Sequence, residues 1–268
     1  MERRVVYTVL TGGYDSLAQP RVTDARYDYV CFTDVVSEAA AGVWQLRPIP
    51  PVSTDMLCLS RYPKMHPHEL LAEYEWSIYV DANVVILTHG FYDAVERCIR
   101  EGVALAGLKH PFMDCAYEEC LHVLLAGKER DVRAACREHE FLRHAAMPRH
   151  WGMYEANVIL RHHADKRVRA QGEEWWHLFM GFAHRDQLAY SYTLYHAQLP
   201  FAYILPKADD RRYGHIEVRR HPEAPVTHKG LRHYVRVAAL RILNALPFTW
   251  VYAVFNHVVA PLMSRDDR

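Results

Sequence analysis

Short apolar runs alternate with segments of helical spacing along most of this chain, and that alternation limits its fold more than any other feature. Val5 to Leu10, Tyr27 to Phe32, Trp76 to Val80, Val103 to Leu108, Asn157 to Leu160 and Phe201 to Leu205 read as strands. Trp44 to Arg47 reads as a shorter one, stopped by Pro48, Pro50 and Pro51. Between them, Phe91 to Arg100 carries apolar residues at 91, 95, 98 and 99, a helical spacing. Pro67 suits the first turn of a helix running towards Tyr74. Cys115 to Leu142 reads as helix interrupted near Gly127, and Glu173 to Phe179 and Asp186 to Gln198 read as two more. The pattern predicts an α/β sandwich with a mostly parallel sheet, where ligands gather at the carboxyl ends of strands.

With 268 residues the chain can form one or two domains and bury a sizeable core. Lys+Arg and Asp+Glu both number 32, which argues against a strongly basic nucleic-acid binder. None of the six cysteines forms a CxxC pair, so reduced, mostly buried thiols are expected. The apolar run in Met1 to Leu10 is too short for a signal peptide, and the expected location is cytoplasmic. Leu240 to Met263 is almost wholly apolar, but Arg241, Asn244, Pro247, Asn256, His257 and Pro261 interrupt it, against a clean spanning helix. Two readings of this tail stay open: a buried terminal helix pair, or an interfacial pair with Arg232, His233, Arg236 and Arg241 facing anionic lipid. The expected division is an α/β domain over residues 1–221 and a helical tail over 222–268.

Several clusters can carry chemistry. Asp81 directly follows the Trp76 to Val80 run, and Asn83 lies two residues on. Oxygen ligands so placed suit Mg²⁺ or Mn²⁺, which offsets charge on a departing nucleotide diphosphate. A turn capped by Asp81, with Asn83 left-handed, explains the same residues. Arg61 and Lys64 lie about one helical turn apart and suit a phosphate or ribose edge, or a solvated face. Asp186, between Arg185 and Gln187, suits a general base or acceptor-positioning group, and equally an N-cap. His110, Asp114, Glu118 and Glu119 put an imidazole and three carboxylates past a strand end, fit for sugar contacts or for complementing a helix dipole. A late histidine such as His215 can fold back as a metal ligand. His66-x-His68 and His162-His163 lack acidic or thiolate partners nearby, so no zinc site is expected there.

Taken in order, YTVLTGGYDSL, DYVCFTD, SRYPKMHPHELL, YEWSIYVDANVVI, HPFMDCAYEEC, YEANVILR and HRDQLAYSY resemble the TOD1/MUCI70 glycosyltransferase-like family, over about Val5 to Leu205. The resemblance implies a GT-A-like, Rossmann-type sheet binding a sugar nucleotide, UDP-sugar favoured, at its strand ends. It implies a saccharide or glycolipid acceptor. On it, Asp81 and Asn83 stand at the acidic metal motif, with Asn in place of a second acid. Thr11 and Asp15 fall where the first strand-end loop meets the nucleoside, and Thr33 and Asp34 where the second approaches the base. Arg61 and Lys64 resemble the cationic pair before the metal strand. Asn157 resembles a sugar- or acceptor-side residue, and Asp186 with Gln187 the acidic element near the acceptor. A catalytically silent sugar-nucleotide or glycan binder is the rival reading, supported by Asn83. A nucleotidyltransferase fits less well, because TGGYDS lacks a basic residue.

Overall fold

The computed structural model describes residues 3–12, 16–111, 113–125, 132–182, 185–200, 202–205 and 214–219. The eight strands among them are β1 (Arg4–Leu10), β2 (Tyr27–Thr33), β3 (Gln45–Arg47), β4 (Trp76–Val80), β5 (Val84–Ile86), β6 (Leu105–Lys109), β7 (Tyr154–His162) and β8 (Ile216–Val218). The helices are α1 (Met56–Met65), α2 (Pro67–Leu70), α3 (His89–Arg100), α4 (Ala116–Leu125), α5 (Val132–His144), α6 (Lys166–Gly181) and α7 (Asp186–His196). Together they give an α/β fold built on a six-stranded, mostly parallel sheet of order β3-β2-β1-β4-β7-β6. β1 pairs in parallel with β2 and β4, and β2 with β3. β7 runs antiparallel to both β4 and β6. A second, two-stranded sheet joins β5 and β8.

Alternate residues of the central strands point to opposite faces. One face carries Val6, Ile78, Val80, Val158 and Leu160, packed with Phe91, Tyr92, Val95 and Cys98 of α3. Each such buried side chain contributes roughly 1.5–3 kcal/mol. The other face carries the in-register pair Tyr7 and Tyr79, edge to face at 5.3 Å. Beside them Arg161, 1% exposed, donates to the Tyr7 hydroxyl at 3.1 Å and to the Lys64 carbonyl at 2.9 Å. Burial pushes the Tyr7 phenol up to about 12 despite the Arg161 charge, so it stays a neutral donor.

Several expectations are corrected. Of the strand expected over Phe201 to Leu205, the described residues 202–205 form one isolated bridge, Tyr203 to Gly107, rather than a strand. β7 extends well past Asn157 to Leu160 at both ends, and the helix around Glu173 begins at Lys166. The helix opened by Pro67 ends at Leu70, short of Tyr74. Helix α1 fills a stretch to which the sequence pattern assigned no element: Asp55 caps it, accepting from the Leu57 and Cys58 amides at 2.7 and 3.1 Å. All six cysteines are buried thiols outside any disulfide.

The described residues form two compact units. The first holds those within 1–112, 154–177 and 193–224, and so the whole sheet; the second holds those within 113–153 and 178–192. No helix among the described residues is long and apolar enough to cross a membrane. The apolar tail, residues 222–268, lies outside the described residues.

Candidate functional site

The parallel strands β1, β2 and β4 release three loops at one end of the sheet. Gly12, after β1, has φ +62°, and its amide donates to the Asp34 carboxylate after β2 at 3.2 Å. The left-handed backbone favours glycine there. The Thr11 hydroxyl donates to the Met56 carbonyl at 3.4 Å, which ties this rim to α1. Thr33 uses its hydroxyl locally, accepting the Val35 and Val36 amides at 3.1 and 3.2 Å. It shapes the loop that presents Asp34. Asp15 lies outside the described residues.

Asp81 leaves β4 at the middle of this rim. Its amide donates to the Asn157 carbonyl at 2.9 Å, and its own carbonyl accepts the Val84 amide at 2.9 Å, closing a turn over residues 81–84. Asn83 is not among the residues with positive φ, so the left-handed reading of it fails. Oδ1 of Asp81 accepts from the Tyr79 hydroxyl at 2.6 Å and lies 3.6 Å from the Lys64 ammonium. The Asp81 side chain is 37% exposed and that of Lys64 2%. The lysine lies behind the carboxylate rather than on an open face, with its Nζ 4.8 Å from the Tyr79 ring and 5.8 Å from that of Trp175. This corrects the solvated-face reading for Lys64. Arg61, one turn earlier, is half-buried and donates to the Ser60 hydroxyl at 2.9 Å.

Two asparagines flank Asp81. Asn83 exchanges bonds with Arg219: its Nδ2 donates to the Arg219 carbonyl at 2.8 Å, and the Arg219 amide donates to the Asn83 carbonyl at 2.9 Å. A carbonyl can only accept, so the amide orientation of Asn83 is fixed. Its Oδ1 is then left buried without a hydrogen-bond partner among the described residues. Asn157 donates through Nδ2 to Glu155 at 3.2 Å, and its Oδ1 is buried and unpartnered in the same way. A buried acceptor without a donor costs about 1–3 kcal/mol and asks for a ligand or water. With the Asp81 carboxylate these are hard oxygen donors, a set that fits Mg²⁺ or Mn²⁺.

His215 does not join them. The β5–β8 ladder pairs Val84 with Val218 and Ile86 with Ile216, and the Leu87 amide donates to the His215 carbonyl. Four residues of strand, roughly 13 Å, therefore separate the level of His215 from that of Asn83. Its Nδ1 lies 2.8 Å from the Thr88 hydroxyl at the start of α3. As a metal ligand beside Asp81 it is withdrawn on this geometry.

The remaining candidates fall elsewhere. His110 is half-buried in the loop after β6. In the second unit, Glu118 of α4 gathers with Cys115 and His150, their ligand atoms within 4.8 Å of one another. His150 lies 2.7 Å from Asp114, and that hydrogen bond raises its pKa. His150 is 36 residues from Asp114, and nothing in the sequence points to it. Also in that unit, Asp186 opens α7 and is 7% exposed, with Arg185 and Gln187 half-buried beside it. Sequence reasoning also missed Tyr79 and Arg219, which hold Asp81 and Asn83 in place. A cleft of about 540 Å³ lies at the opposite end of the sheet, lined by Arg3, Glu75 and His163. It is at the amino ends of the parallel strands, away from where such sheets bind ligands.

The fold and the rim define an α/β protein with a mostly parallel six-stranded sheet and a partly exposed carboxylate at its central strand end. No protein-family model matches the chain, and no curated protein matches it. Among solved structures it is similar to an apo structure of the bifunctional glycosyltransferase WbbM, at 13% identity and a TM-score of 0.46. That match covers 88% of this chain and 44% of the other, so the chain spans under half of that protein. It is similar also to the galactosyltransferase LgtC, in complex with donor and acceptor sugar analogues, at 13% identity and a TM-score of 0.43. There 74% of this chain and 72% of the other are covered.

Proposed function

We propose that this chain is a glycosyltransferase of the TOD1/MUCI70-like type. It would move a sugar from a nucleotide-diphosphate donor, UDP-sugar favoured, to a saccharide or glycolipid acceptor. The observation that carries the reading is Asp81: a partly exposed carboxylate at the end of the central parallel strand, flanked by two asparagines with buried, unpartnered Oδ1 atoms. Asp81, Asn83 and Asn157 would hold Mn²⁺ or Mg²⁺. A bound ion supplies charge neutralisation for the departing diphosphate. Thr11, Gly12 and Asp34 would receive the nucleoside, with the Asp34 carboxylate accepting from donor hydroxyl or base N–H groups. Arg61 would face phosphate, and Lys64 would balance Asp81 from behind. Asp186, with Arg185 and Gln187, is assigned to the acceptor as base or positioning group. His110 and Glu118 are assigned to sugar hydroxyls.

A second reading has its own support. Lys64 already compensates Asp81 at 3.6 Å, and position 83 is Asn rather than an acid, which favours a silent sugar-nucleotide or glycan binder. A screen of nucleotide sugars for Mn²⁺-dependent hydrolysis and transfer separates the two. Turnover that disappears in Asp186→Asn while donor binding stays supports the enzyme; saturable binding without turnover supports the binder. A cytoplasmic, peripheral location belongs to the same proposal, with residues 232–263 docking on anionic lipid. Sedimentation with anionic vesicles tests it, full-length chain against a truncation at 231, and no binding by the full-length chain at low salt ends it.

A further inference from the structure

His66 and His68 flank Pro67 at the junction of α1 and α2, with Glu69 next in the chain, and the fold brings a carboxylate to them from α6. Glu173 places Oε1 2.9 Å from His68 Nε2 and Oε2 3.4 Å from His66 Nε2, so one carboxylate faces both rings. Glu69 adds a second: its ligand atom and those of His68 and Glu173 lie within 4.8 Å of one another. Close helix packing makes this approach. A Cβ on Gly172 would meet the Met65 carbonyl at 2.4 Å, so glycine lets α6 lie directly against the junction.

The protonation pattern of His66 is informative. Its Nδ1 lies 3.2 Å from the Tyr62 carbonyl, which can only accept, so Nδ1 carries a proton. A neutral ring then turns the lone pair of Nε2 towards Glu173, acceptor against acceptor. A divalent ion between them turns that opposition into ligation. A backbone carbonyl holding the far nitrogen is the usual support of a metal-bound imidazole. The ring itself is fixed: it is 2% exposed, stacked on Tyr62 at 4.2 Å and met edge-on by Trp176 at 5.6 Å.

We propose that His68, Glu69 and Glu173, with His66 as fourth donor, bind one divalent transition ion of the zinc type. Two imidazoles and carboxylates suit Zn²⁺ rather than the hard ions expected at Asp81. Two donors each about 2.0–2.2 Å from a tetrahedral ion lie roughly 3.3–3.5 Å apart; His66 Nε2 and Glu173 Oε2 stand at 3.4 Å, and the donors of His68, Glu69 and Glu173 gather within 4.8 Å of one another. The site would staple the α1–α2 junction to α6.

The test is Co²⁺ titration of tag-free, chelator-treated full-length protein at pH 7.5, followed by Zn²⁺ competition. The expected result is one equivalent bound with tetrahedral visible bands, no thiolate charge-transfer band, and a Tm raised by Zn²⁺. His68→Ala and Glu173→Gln should each weaken binding more than tenfold, since even outer-shell losses cost about that much. Asp81→Ala should leave it unchanged. Should His68→Ala fail to fold, Glu173→Gln, at a half-exposed site, decides alone. The proposal is overturned by no Co²⁺ uptake, by uptake that Glu173→Gln does not affect, or by a thiolate band, which would place the ion at Cys115, Glu118 and His150.

Discussion

Lys64 carries its ammonium into the interior and sets it 3.6 Å from Asp81, between the rings of Tyr79 and Trp175. A unit charge at that range is worth about 1–4 kcal/mol at effective dielectrics of 80 to 20. Lys64→Met keeps most of the stem volume and removes the charge. It should tighten binding of Mn²⁺ alone by about tenfold or more, read by titration without nucleotide. His163 reports on the same face of the sheet. Burial first, and the Arg161 charge second, push its pKa down to about 4, whereas an unfolded histidine titrates near 6.5. The unfolded chain binds the extra proton between those values, so stability is complete above about pH 6.5 and falls as pH drops towards 4. The loss is about 3 kcal/mol. Urea melts across that range should show the slope, and His163→Gln should flatten it. At this scale Asp81 was legible, because an acid directly after a buried strand stands where the strand ends. The position of Lys64 was not: a cation one turn from Arg61 says nothing of which way α1 turns it. Asn157 could be named, but its unpartnered oxygen emerges only once β7 lies beside β4.

Among the elements, α1 shows where local signals mislead. Pro63 lies inside it, and a proline removes a helix hydrogen bond and argues against helix at that place. The helix survives because it ends two residues later and buries Cys58, Pro63, Lys64 and Met65. The direction of β7 was equally hidden, since an apolar run pairs either way and only the connection decides. β5 and β8, three residues each, are too short to show a period. Gly172 allows a sharper test at this scale. Alanine is the better helix former by about 1 kcal/mol, yet its Cβ would meet a backbone oxygen at 2.4 Å. Overpacking against backbone typically costs 1–3 kcal/mol, so Gly172→Ala should be net destabilising in urea melts. A stabilised variant would mean that α6 packs less closely than described.

Across the whole molecule, the sheet belongs to one unit, and its carboxyl rim gathers residues from four places in the sequence: Gly12, Asp34, Asp81 and Asn157. The alternation of apolar and helical segments foretold that sheet. The tethering of Asn83 by Arg219, 136 residues away, could not be foretold, because no local pattern marks a long return. Binding of nucleotide at this rim is the central claim. Calorimetric titration of UDP, with and without Mn²⁺, into the folded wild type and Asp81→Ala tests it most directly. The account predicts Mn²⁺-dependent affinity in the wild type and at least a tenfold loss in the variant, in line with about 1.5–3 kcal/mol for a charged contact. Equal Mn²⁺-dependent affinity in the two proteins would contradict it.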